Sequence, residues 1–229
     1  MLLVLRLINR LKSCPTYLPH SVPVNVQRSS FFQSADVMAS CLHLHTTTGT
    51  TSMNKALVES LGVLLVAQEP SVWSEPATGK MFNLLLQTTA DPRPKIRHRA
   101  VDTCARILKN PPFPLQTHPS AQDTANVLKT RLLESVTEKD STTTIHTLSL
   151  LVRVISYLPA QSVKSTCEAV LRVLQSGQAQ ANQLCFQAFQ ALFAAGTDST
   201  ISPELGRQLV LALFEYKPNV NDVELYSSW

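Results

Sequence analysis

Helices with one apolar face restart along this chain near Met53, Pro94, Ser141, Gln178 and Val220, at steps of roughly 37 to 47 residues. That interval matches two-helix repeat units. A chain built this way is strongly constrained. Each unit buries its apolar face only against its neighbours, so the product is a stack with a long surface instead of a closed pocket. The expected fold is therefore all-α, an α-solenoid of helix pairs. The last stripe starts close to Trp229 with its apolar face not yet buried, so the stack is expected to be incomplete at its C-terminal end and to be a piece of a longer repeat protein.

The stripes themselves are clear. Leu57, Leu61, Leu64 and Leu65 line one face, and Met81, Leu84 and Leu85 the next. Ile96, Ala100, Cys104, Ile107 and Leu108 follow, then Leu128, Leu132 and Val136. Further along come Ile145, Leu148, Leu151, Val152 and Ile155, then Val163, Cys167, Val170, Leu171 and Leu174. Cys185, Ala188, Phe189 and Leu192, and finally Leu205, Leu209, Ala212 and Leu213, complete the series. All have helical spacing. Pro94 suits a first helical position, Gly177 a C-terminal cap, and Ser202-Pro203-Glu204 a capped start. Pro111, Pro112, Pro114 and Pro119 make 110–120 a stiff connection.

The repeat region is expected over 53–229. Residues 1–52 read as a poorly defined segment, a partial helix plus a loop rich in Pro, Ser and Thr. Within it, 34–44 has the pattern of a short helix. Leu2, Leu5 and Ile8 mark one face of another. Arg6 and Arg10 interrupt the apolar N-terminus, and no small-residue cleavage site follows, so a signal peptide is not expected. No run of about 18 apolar residues predicts a membrane span.

Composition limits the chemistry. Only 16% of the residues are charged, against 44% hydrophobic, which suits helices packed on both sides. With six glycines in all, an active site built on close backbone approach is not expected. No Gly-rich phosphate loop, nucleophile elbow or His-Glu-x-x-His motif occurs. The chain is read as a non-enzyme with no cofactor and no metal. Cys41-x-His43-x-His45 mixes ligand types but lacks a fourth ligand and a strand to carry the alternation. The five cysteines include no Cys-x-x-Cys pair, and Cys104, Cys167 and Cys185 fall on apolar stripes. Trp73 and Trp229 read as packing residues.

The net charge of +4 is unevenly placed. Arg93, Lys95, Arg97, Arg99, Arg106 and Lys109 crowd one stretch against Asp91 and Asp102, whereas the two signs nearly balance after Lys139. These six residues are the candidate contact for RNA or another phosphate-bearing partner. Within the same stretch, Asp91, Ile96 and Arg97 have the spacing D-x-x-x-x-[VI]-R, which resembles the corner of a HEAT repeat. There the Asp lies in the turn between paired helices, the Arg lies on the second helix, and such residues form charge ladders between neighbouring repeats. A structural role at the corner competes directly with phosphate binding.

Four stretches carry a more specific resemblance. They are Ala67-Gln68-Glu69-Pro70-Ser71-Val72-Trp73, Asp91-Pro92-Arg93-Pro94-Lys95-Ile96-Arg97, Ser141-Thr142-Thr143-Thr144-Ile145-His146-Thr147-Leu148, and Leu211-Ala212-Leu213-Phe214-Glu215-Tyr216-Lys217-Pro218 with Asn221-Asp222 and Trp229. In this order, over roughly 53–229, they resemble the HEAT-repeat region of the ribosomal RNA-processing protein 12 family. The resemblance implies a fragment or short form of a much longer scaffold of the nucleus and nucleolus. It implies ribosome biogenesis, small-subunit pre-rRNA processing and nuclear export of pre-ribosomes. The implied partners are pre-ribosomal RNA, small-subunit assembly factors and nuclear transport factors. The alternative is a nuclear transport-type adaptor that binds proteins only; acidic inner helices would mark it, and the balanced charge after Lys139 does not supply them.

Overall fold

A computed structural model describes residues 23–44, 50–195, 201–216, 218 and 223–229. The expectations for Leu2, Leu5 and Ile8, for His45 and the run from Thr46 to Gly49, and for a last helix opening at Asn221-Asp222 lie outside these residues. Among the described residues there are twelve α-helices and no strand: α1 (Val24–Ser29), α2 (Phe31–Leu44), α3 (Thr51–Val66), α4 (Pro70–Trp73), α5 (Pro76–Thr88), α6 (Pro94–Lys109), α7 (Ala121–Glu138), α8 (Ser141–Val154), α9 (Ala160–Gln175), α10 (Ala179–Ala194), α11 (Pro203–Glu215) and α12 (Val223–Ser228), with a 3-10 turn, Ile155–Tyr157, after α8.

The starts follow elementary capping chemistry. Pro stands in the first turn of α4, α5, α6 and α11, where its missing N–H is no loss. Thr50 accepts the Met53 N–H at the head of α3, and Ser202 accepts the Leu205 N–H at the head of α11. Gly177 has φ 76° just past the end of α9, a left-handed position that an L side chain rarely adopts.

The helices form two compact units that divide after Ser120. In the first, α2 pairs with α3 and α5 with α6, while α2 lies along α5 and α3 along α6. In the second, α7 pairs with α8 and α9 with α10; α7, α9 and α11 run in one layer, and α8, α10 and α12 in the other. Contact between every second helix is what stacked pairs require, and it produces two layers with a dry seam. Leu57, Leu61, Leu65, Leu85 and Ile107 are buried in the first seam, and Leu128, Leu148, Leu151, Val170 and Phe189 in the second. Cys104, Cys167 and Cys185 are fully buried; burial pushes the Cys167 and Cys185 thiols up to about 12. Among the described residues, no helix is long and apolar enough to cross a membrane.

One local reading changes. The short helix expected at 34–44 begins at Phe31, and Phe31, Ala35, Met38 and Leu42 supply a buried stripe against the first unit. This segment, grouped above with the poorly defined 1–52, is the first member of a helix pair. Past the end of α3 at Val66, Pro70 opens the short helix that carries Trp73. The next helix starts at Pro76, because proline is pre-organised for the first turn.

Trp73 is a packing residue, as expected. Its ring stands edge-on to His118 at 4.3 Å and to Phe82 at 6.0 Å. The His118 ring is buried, and its Nδ1 accepts the Ser120 N–H at 3.1 Å. Burial lowers its pKa to about 4, so it is neutral at pH 7.

Candidate nucleic-acid interface

The basic stretch builds two different things. At the corner between α5 and α6, Asp91 Oδ1 accepts the Arg93 backbone N–H at 2.8 Å and Nε at 3.0 Å, and Oδ2 accepts an Arg93 guanidinium nitrogen at 2.9 Å. Burial alone raises the Asp91 pKa. The Arg93 hydrogen bonds and the charges of Arg93 and Arg97 outweigh it, and hold the carboxyl below the usual range. Arg97 turns back along the corner and donates to the Asp91 carbonyl at 2.8 Å and that of Pro92 at 3.4 Å. Ile96 is fully buried beneath. Asp91, Ile96 and Arg97 therefore clamp one turn. Arg93 is paired with a carboxylate, and Arg97 keeps its charge but is tied back to the turn by two carbonyls. The bonds of Asp91, Arg93 and Arg97 described above lie within a single corner.

The second feature is a stripe. Lys95, Arg99, Asp102, Arg106 and Lys109 recur at i, i+4, i+7, i+11 and i+14 along α6, so they share one side of the helix over about 21 Å. The opposite side holds Ile96, Ala100, Cys104, Ile107 and Leu108, all buried. Lys95 and Lys109 are exposed, and Arg99 and Arg106 are half-buried. Arg99 pairs with Glu59 of α3 at 3.4 Å, an ion pair open to solvent on both sides. Arg106 lies across α3 at Gly62. Its Nε and one terminal nitrogen are buried without a hydrogen-bond partner. Gly62 is required by this packing: a Cβ there would stand 2.2 Å from Thr103 Cγ2 and 3.1 Å from that Arg106 nitrogen. Of the six candidates, the structure thus collects Lys95, Arg99, Arg106 and Lys109 on one surface and withdraws Arg93 and Arg97.

The C-terminal end of the stripe opens onto a cavity of about 600 Å³, lined by Arg28, Val66, Gln68, Glu69, Pro70, Ser71 and the loop from Asn110 to Pro114. Asn110 Nδ2 donates to the Arg106 carbonyl at 2.6 Å and joins the cavity wall to the stripe. Arg28 bridges Glu69 at 2.6 Å and donates to the Ala67 carbonyl at 2.8 Å, which neutralises the carboxylate on the rim. Phe113 projects from the loop 91% exposed. Helical periodicity could not find this residue, because it belongs to no stripe. The available signal was an aromatic set among Pro111, Pro112 and Pro114, which has no helix face to pack on.

A second corner went unnoticed in the sequence. Asp140, between α7 and α8, accepts the Thr143 N–H at 3.1 Å and its hydroxyl at 2.6 Å, and these bonds hold its carboxyl below the ordinary range. It spends its carboxylate on helix donors, where Asp91 spends its own on an arginine. Among the described residues, no three His, Cys, Asp or Glu side chains gather as a metal site would need.

Residues 16–200 match the family model described as RRP12-like, N-terminal HEAT repeats. The chain is similar to the RRP12-like protein of Homo sapiens, 32% identical over 213 residues, which cover 91% of this chain and 16% of that protein. It is similar to the RRP12-like protein of Drosophila melanogaster, 25% identical over 229 residues, 92% of this chain and 16% of that protein. It is similar as well to Ribosomal RNA-processing protein 12 of Saccharomyces cerevisiae, 26% identical over 254 residues, 96% of this chain and 20% of that protein. The chain thus spans about a sixth to a fifth of the length of these relatives.

Proposed function

Because the chain belongs to the RRP12-like family and corresponds to its N-terminal HEAT repeats, we propose that it acts as a non-enzymatic scaffold in ribosome biogenesis. Its work is to hold small-subunit precursor RNA and assembly factors during rRNA processing and nuclear export, in the nucleus and nucleolus. The name of the yeast relative supports the process. The stacked helix pairs support the scaffold role, since they offer long ridges instead of a closed active site.

The observation that carries the RNA contact is the α6 stripe. Lys95, Arg99, Arg106 and Lys109 set four cations against Asp102 and the neighbouring Glu59. Cations spaced one helical turn apart suit a phosphate backbone, and their contribution falls with salt as bound counterions are released. The corner residues Arg93 and Arg97 act indirectly, by fixing the start of the helix that carries the stripe.

Affinity purification of the tagged chain, split into nuclease-treated and untreated halves, tests this reading. The expected result is small-subunit precursor RNA with assembly factors, part of which leaves on nuclease treatment. Recovery of transport factors alone, unchanged by nuclease, would replace it with the protein-only adaptor.

A further inference from the structure

The Phe113 cavity sits where the basic stripe ends, and nothing in the packing of the first unit uses its exposed ring. We infer that this corner receives an unpaired RNA base, stacked on Phe113, while the adjoining phosphates follow Lys109, Arg106, Arg99 and Lys95. The inference rests on the RNA reading above and deepens it: the substrate class becomes single-stranded RNA, not duplex.

Four features lead there. Among the described residues Phe113 is the most exposed large apolar side chain, at 91%, and a base offers a flat π-surface that would cover its ring. Pro111, Pro112 and Pro114 hold the loop with fixed φ angles, so little freedom is lost when the ring is covered. The cavity, about 600 Å³, lies within the range of small-ligand sites, and Gln68, Ser71 and Asn110 bring polar groups to its lining. Finally, Glu69, the one carboxylate on the lining, is bridged by Arg28 at 2.6 Å, so it does not repel a phosphate. A positive track with an aromatic platform is how sequence-tolerant single-strand binders work. In a duplex the bases are already stacked on each other, and their faces are closed to Phe113. An apolar peptide would cover the ring but would not use the cations of the α6 stripe, which ends at Lys109 just before the loop.

The test is fluorescence anisotropy on the full chain, with a dye-labelled 12-nucleotide single-stranded RNA and the same RNA paired to its complement. Phe113→Ala is expected to weaken single-strand binding about tenfold, to leave duplex binding and the salt slope unchanged, and to be rescued by Phe113→Trp. Because the ring is exposed, neither substitution endangers folding. The triple variant Lys95→Glu, Arg99→Glu, Lys109→Glu is expected to weaken both RNAs. If the triple variant loses affinity and Phe113→Ala does not, the stacking inference falls and the RNA contact stands. If Phe113→Ala weakens both RNAs equally, the single-strand assignment falls. If neither variant loses affinity, both readings fall.

Discussion

Gly62 decides how closely α3 and α6 approach, and its substitution yields a prediction in which two effects have opposite signs. On helix propensity alone, Gly62→Ala stabilises an interior helical position by about 0.5–1 kcal/mol. The packing says otherwise. The new methyl would stand 2.2 Å from Thr103 Cγ2, against the ~3.5–4.0 Å of ordinary carbon contact, so the helices must part by about an ångström or Thr103 must leave its rotamer. Thr103 is buried, and overpacking of this kind costs roughly 1–3 kcal/mol. The clash outweighs the propensity gain, and the expected net loss is about 0.5–2 kcal/mol. Thr103→Ser removes Cγ2 and leaves Cβ at an ordinary 3.5 Å from the new methyl. In that background the remaining close contact is the Arg106 guanidinium nitrogen at 3.1 Å, which must give by a few tenths of an ångström, so Gly62→Ala is expected to recover most of its loss. Urea unfolding followed by far-ultraviolet circular dichroism reads the four members of the cycle, with the single variant shifted down by about 0.5 M. A Gly62→Ala variant as stable as the parent, with no coupling to Thr103, would refute the close approach.

Three further outcomes follow from buried groups. The His118 imidazole titrates at about 4 in the folded chain against 6.5 in a free side chain, so the unfolded chain takes the proton first. Its contribution to stability is full above pH 6.5 and is lost as the pH falls to about 4, on the order of 3 kcal/mol in total; ring-proton NMR at pH 5.5 should show His118 neutral, and an imidazolium there would contradict the packing against Trp73. Tyr216→Phe removes the hydroxyl that accepts from Asn182 Nδ2 at 2.6 Å, while Asn182 Oδ1 is already buried without a partner; thermal unfolding should show a loss of about 1–3 kcal/mol, and an unchanged midpoint would count against this contact. Cys167 and Cys185, pushed up to about 12 by burial, should resist iodoacetamide at pH 8 in the folded chain, while half-buried Cys41 is alkylated before either of them. Peptide mass mapping over time checks the order.

How much of this was legible depended on whether local chemistry or tertiary neighbours set each feature. The second helix of each pair was readable because its apolar stripe and its start signal agree, as with Pro94 followed by Ile96, Ala100 and Cys104. Phe31 was missed because Pro23, Ser29 and Ser30 just before it read as a loop, and only contact with α3 and α5 makes it a core residue. The corner motif was found, but spacing cannot tell which arginine an aspartate will choose. Arg93 takes the Asp91 carboxylate because the turn brings its backbone N–H to the same oxygen. Arg97 was counted with the stripe, yet two residues beyond Lys95 it points to the far side of the helix. Gly62 and Phe113 carry no periodic signal. One matters for what lies 2.2 Å away, the other for the cover it lacks.

The claim at the centre of the account is that α6 carries the RNA contact. Its most direct test is the affinity for single-stranded RNA measured across a series of salt concentrations, for the parent chain and for Lys95→Glu, Arg99→Glu, Lys109→Glu. The corner bonds of Arg93 and Arg97 are untouched in this variant, and circular dichroism verifies its helices. Three lost phosphate contacts should flatten the slope of log K against log salt by about 2, with a fall in affinity that is largest at low salt. An unchanged slope and affinity in the folded variant would contradict the account and leave the α6 cations as a solvated edge.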